Sequence, residues 1–310
     1  MSHTSRRDFL KASVSAVCAA AVVESAEAKP TPTGVSNVEK IATSPAPGPL
    51  PIKKGVWFEM ISPKLGYADR FRIARDAGFE VVQAPTEADD RKAEAIKKAA
   101  DAAKIRIDSV MNMDHWKYPL SSADPAIVER SLAGMRTSLR NAKLWGSDTV
   151  LLVPAVLDQN TSYRDAWTRS QEQIRKLLPI AEENKTIIGI EEVWNRFLLS
   201  PLEMAHYIDE FKSQYVRAWF DVGNVLLYGY PQDWIRTLGK RISNVHLKDF
   251  KHQEHAYAFV NLGDGDLNWP AVHQAFAEIG YSGSAVVELE GGDEAYLRDV
   301  SKRVDRLLLQ

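Results

Sequence analysis

From about residue 52 onward the chain alternates between short apolar runs and longer amphipathic stretches. The runs are GVWFEM, FEVVQAP, IRIDSVMNM, DTVLLVPA, TIIGIEEV, VRAWFDV, ISNVHLKD and SAVVELE. They are too short and too rich in Val, Ile and aromatic residues for helices, and they read as strands buried on both faces of a parallel sheet. Between them apolar residues recur at helical spacing, as in YADRFRIARDAG, DRKAEAIKKAADAAK and YRDAWTRSQEQIRKLLPIAEEN. Ser200-Pro201 supplies a cap and a first-turn proline, and Gly78, Gly146 and Gly280 follow helix ends. Eight strands, each followed by a helix, predict a single-domain closed (β/α)8 TIM barrel. An open doubly wound sheet would carry a glycine-rich phosphate loop after its first strand. Here that strand leads into Glu59-Met60-Ile61-Ser62-Pro63.

The polar exceptions at the ends of these runs carry the candidate chemistry. Glu192, Asp221, His246 and Glu288 end the fifth to eighth runs. In a closed barrel those ends are neighbours, on the face where barrel active sites lie. Buried charges are costly unless paired, so three carboxylates and an imidazole that converge predict a divalent-metal site. Such a set of three oxygens and one nitrogen suits Mn2+, Mg2+ or Co2+, with Zn2+ less preferred. The plainer alternative is a ring of strand-end ion pairs. Glu191 competes with Glu192, because alternation in IIGIEE does not decide which faces inward. Glu290 competes with Glu288, which directly follows its apolar run. Lys248 shares a strand face with His246 and could reach substrate oxygen or phosphate, or equally pair with Asp221 or a nearby glutamate as structure. His115, Trp116, Trp57 and Glu59, at the ends of the third and first runs, are further sugar-pocket candidates, as is Asn224 after Asp221. Asn195 and Arg196 follow the fifth run and could orient its glutamate. His252 and His255 sit in a long loop, Lys251 to Gly265, readable as a lid or as a contact in a homo-oligomer.

Composition narrows the picture. A net charge of −2 without a basic stripe makes nucleic acid a poor partner. Ser5-Arg6-Arg7-Asp8-Phe9-Leu10-Lys11, an apolar stretch to Val23 and Ala26-Glu27-Ala28 form a twin-arginine signal peptide over 1–28, which predicts export to the periplasm or another extracytoplasmic space. Its apolar stretch is too short for a stable membrane anchor. Residues 29–51, rich in Pro, Ser and Thr, read as a flexible linker, which leaves 52–310 for the barrel. The single cysteine, Cys18, falls in the signal, so the mature chain has neither disulfides nor thiolate ligands.

Several stretches together resemble the xylose isomerase-like barrel superfamily, in its sugar-phosphate isomerase/epimerase branch. They are Glu192-Val193-Trp194-Asn195-Arg196-Phe197, Asp221-Val222-Gly223-Asn224, His246-Leu247-Lys248-Asp249-Phe250, GDGDLNWPAV from Gly263 and VVELEGGD from Val286. The first is close to its counterpart in ketose 3-epimerases, and it selects Glu192 over Glu191. The resemblance implies that Glu192, Asp221, His246 and Glu288 bind a metal and that the two glutamates move protons. The chain departs from the ketohexose enzymes at Asn224, where they carry histidine, and at Lys251-His252, near which they carry arginine. Asn224 after Asp-Val-Gly looks closer to the pentulose-phosphate pattern. The implied activity is a divalent-metal-dependent sugar isomerase or epimerase, removing a proton beside a carbonyl to give an enediolate. The alternative is a lyase or hydratase acting on keto-sugars or keto-glycosides. A barrel endonuclease would need more strand-end histidines and a basic surface, and a sugar-binding protein would not need two opposed bases.

Overall fold

The computed structural model describes residues 48–253 and 256–310. The twin-arginine segment, His255 and the linker up to residue 47 lie outside the described residues. Eight parallel strands close into a barrel. They are β1 (Lys53–Trp57), β2 (Val81–Pro85), β3 (Arg106–Met111), β4 (Thr149–Leu152), β5 (Ile187–Glu191), β6 (Val216–Asp221), β7 (Ile242–Leu247) and, after an inserted hairpin, β10 (Ser284–Val287). The ring runs β1-β10-β7-β6-β5-β4-β3-β2. The hairpin consists of antiparallel β8 (Asp249–Gln253) and β9 (Ala256–Val260), where the sequence suggested an irregular loop. The helices are α1 (Tyr67–Asp76), α2 (Asp90–Ala103), α3 (Pro125–Trp145), α4 (Tyr163–Asn184), α5 (Pro201–Asp209), α6 (Pro231–Leu238), α7 (Trp269–Ile279) and α8 (Glu294–Leu308). None is long and apolar enough to cross a membrane.

The first run splits. Its GVW is strand, but Phe58–Met60 turn into a 3-10 helix. The expected caps form. The Ser200 hydroxyl accepts the Glu203 N–H, and Gly146 and Gly280 end α3 and α7 at φ 72° and 65°. Packing begins slightly before the predicted domain start: Leu50 is buried, and its N–H donates to Leu308 O at the end of α8.

One close approach shapes the barrel interior. A Cβ on Gly189 would lie 3.0 Å from Thr149 Cγ2 and 3.2 Å from Trp219 Cε3. Glycine there makes room for the Trp219 indole, which sits edge-on to the His246 ring at 4.9 Å. The same contact assigns the faces of β5. Gly189 points inward, so Glu191, two residues on, points inward as well.

Candidate metal centre

Four side chains at the carboxyl ends of four adjacent strands converge: Glu191 from β5, Asp221 from β6, His246 from β7 and Glu288 just past β10. One ligand atom from each lies within 4.8 Å of all the others, and all four residues are buried. His246 Nδ1 faces the acids, 2.7 Å from Glu191 Oε1, 3.1 Å from Glu288 Oε2 and 3.8 Å from Asp221 Oδ2. The other ring nitrogen, Nε2, lies 2.8 Å from Gln83 Oε1 on β2.

Asp221, His246 and Glu288 thus stand where the strand ends predicted, but the glutamate of β5 in this group is Glu191 and not Glu192. The reason is the period of two along the strand. Glu192 is nevertheless buried, and it braces its neighbour: its Oε1 accepts the Asp221 N–H at 2.8 Å. Burial, and next the charge of Asp221, push the Glu192 carboxyl well above the usual carboxylate range. Asp221 is further fixed through Oδ1, which accepts the N–H groups of Gly223 (2.8 Å) and Asn224 (3.0 Å). This leaves Oδ2 turned toward Lys248.

The Lys248 ammonium lies 2.7 Å from Asp221 Oδ2 and 2.8 Å from Glu288 Oε2, so it belongs to the cluster. The other predicted residues divide. Asn224 is buried beside the site, but its Nδ2 donates to the Glu192 carbonyl, which makes it a brace between the ends of β5 and β6. Trp57 is buried at the end of β1, next to Gln83 in register. His115 is buried too; its Nδ1 accepts the Val153 N–H at 3.4 Å, and its ring meets Trp116 edge-on. Glu59 is drawn away: its carboxylate pairs with Arg70 at 3.0 Å, and that guanidinium covers the Phe58 ring. Asn195 and Arg196 do not orient a glutamate. Asn195 bonds Ala155 O and the Phe197 N–H, tying the loops after β4 and β5, and Arg196 is exposed with φ 65°.

The hairpin stands beside this centre. Phe259 of β9 stacks on Trp194 at 5.0 Å, and its ring lies 5.4 Å from Lys248 Nζ. The root of the hairpin is pinned by Asp249, whose carboxylate accepts the N–H groups of Phe250 and Gly263 and the Trp269 indole N–H, each at 2.8 Å.

The donor set fits a divalent cation on charge grounds. Three buried carboxylates converge on a single ammonium and one imidazole, and like charges that close repel strongly unless a cation joins them. Gln83 was not anticipated. Its one visible signal is an amide in the middle of an otherwise apolar run, FEVVQAP.

The fold and this group define a parallel barrel with an acid–imidazole centre at its carboxyl-end mouth. The chain belongs to the xylose isomerase-like TIM barrel family, whose model matches residues 71–306. It is 21% identical over 236 residues to L-ribulose-5-phosphate 3-epimerase UlaE of Escherichia coli O1:K1 / APEC, covering 72% of this chain and 82% of that protein. It is 27% identical over 186 residues to D-psicose 3-epimerase of Enterocloster bolteae, covering 56% of this chain and 59% of that protein. The crystal structure of D-psicose 3-epimerase with D-tagatose from Clostridium cellulolyticum H10 superposes with a TM-score of 0.70 at 18% identity, covering 84% of this chain and 100% of that one.

Proposed function

We propose that the protein is a divalent-metal-dependent sugar isomerase, most nearly a ketose epimerase. The observation that carries this reading is the buried convergence of Glu191, Asp221, His246 and Glu288 at the mouth of the barrel. The epimerase names of its relatives support it. The elimination alternative draws no support from those relatives.

In this reading the four side chains hold one divalent ion. When bound, it polarises a substrate carbonyl and so acidifies the neighbouring C–H. Glu191 and Glu288 come from strands separated by β6 and β7, so they approach the pocket from different sides. One takes the proton from carbon and the other returns a proton to the opposite face. Asp221, clamped by two backbone N–H groups and by Glu192, keeps its place while this happens. The Lys248 ammonium stabilises negative charge that develops on substrate oxygen. Trp194 and Phe259 form an apolar wall beside it, suited to the C–H face of a sugar. Export of the enzyme, argued from Arg6-Arg7 and the segment after it, belongs to the same proposal.

The test is proton exchange. Native protein loaded with Mn2+ should incorporate deuterium from heavy water into one member of a panel of ketoses, keto-glycosides and their phosphates. Glu288→Gln should fold and lose that exchange by about 10^2- to 10^4-fold. Undiminished exchange in this variant would remove Glu288 from the chemistry.

A further inference from the structure

Gln83 is fully buried inside the barrel, on a strand three places around the ring from β7. A long amide at such a position is costly unless it is bonded, and its oxygen lies 2.8 Å from His246 Nε2. The imidazole cannot swing away from this partner. Trp219 packs edge-on against it at 4.9 Å, and its Nδ1 is held 2.7 Å from Glu191. Resting on the metal reading above, we propose that Gln83 is the positioning residue that sets the His246 tautomer and thereby tunes the affinity of the site for a divalent cation.

The chemistry is short. An imidazole that offers its Nδ1 lone pair to a cation carries its proton on Nε2. That buried N–H needs an acceptor, and the Gln83 amide oxygen provides one. The Gln83 Nε2 has no hydrogen-bond partner among the described residues, so the oxygen is the half of the amide in use.

The experiment measures Mn2+ affinity and imidazole tautomer in the native chain, in Gln83→Met, which keeps volume but removes the acceptor, and in Gln83→Glu, which keeps an acceptor oxygen. Calorimetric titration with Mn2+ should show Gln83→Met weakened by about 10- to 100-fold, with Gln83→Glu close to native. Two-bond 15N–1H spectra of the imidazoles should show the Nε2–H form of His246 in native protein loaded with diamagnetic Mg2+ and its loss or mixing in Gln83→Met. A folded Gln83→Met with native affinity and an unchanged tautomer overturns the proposal while leaving the metal site standing. If Gln83→Met does not fold, loss of affinity in the folded Gln83→Glu overturns it. Failure of the native chain to bind Mn2+, Mg2+, Co2+ or Zn2+ overturns the metal reading itself, and this inference with it.

Discussion

The two ends of the barrel both bury acids, and they handle them differently. At the amino-terminal end stands Asp108 of β3, with the hydroxyls of Ser109 (3.0 Å) and Ser284 as its partners. Around it Tyr281 donates its O–H to Ser284 O at 2.8 Å, and Arg217 is spent on the backbone carbonyls of Lys240, Arg241 and Ile242. Burial raises the Asp108 carboxyl against the smaller opposing pull of its two serine donors and of Arg106, and a single buried acid so placed can simply keep its proton. At the carboxyl-terminal end Glu191, Glu192, Asp221 and Glu288 crowd together around the Lys248 ammonium and the His246 imidazole. One buried acid is a structural detail that protonation settles. A group of them aimed at one point is an arrangement that a bound cation stabilises.

The sharpest way to break this contrast is to replace in turn Glu191, which ends β5, and Glu192, which follows it. Glu191→Gln should cost about 10^3-fold or more in turnover and lose most of the bound metal. Glu192→Gln, whose amide oxygen can still accept the Asp221 N–H, should cost about tenfold or less. Turnover and metal content of the two variants decide it, and the reverse order would return Glu192 to the centre.

Metal removal should act on one end alone. At a free ion concentration near 100 times Kd, chelation should withdraw about 2.7 kcal/mol of stability. The melting temperature should fall and recover when Mn2+ is restored. Amide exchange should quicken at the ends of β5, β6, β7 and β10 and stay unchanged near Asp108.

The smallest effect belongs to the other end. The folded-state value of Asp108 lies above its ordinary 3.8. The stability it contributes is therefore complete below 3.8 and is lost as pH rises through the raised value. Asp108→Asn keeps an acceptor for the serine hydroxyls and cannot ionise. It should flatten the fall of melting temperature over that window and leave turnover untouched. An equal pH slope in both proteins would remove Asp108 as its source.

Much of this organisation was legible in the chain. The alternation of eight apolar runs with amphipathic stretches specified a parallel barrel, because each pattern can bury its apolar surface in only one kind of element. Asp221, His246 and Glu288 were legible as strand-end polar groups, since a charge that closes a buried run needs a partner. Tertiary packing alone decided the rest. The inward face of β5, and with it Glu191, was set by Gly189 meeting Thr149 and Trp219 on the flanking strands β4 and β6. The hairpin at Asp249–Val260 depends on cross-strand pairing and on aromatic contacts with Trp194, which no local period announces. Gln83 acquires its place only because closure of the ring brings β2 opposite β7, 163 residues away in sequence. Local periodicity dictates which residues are buried, and only closure of the sheet determines what they meet once inside.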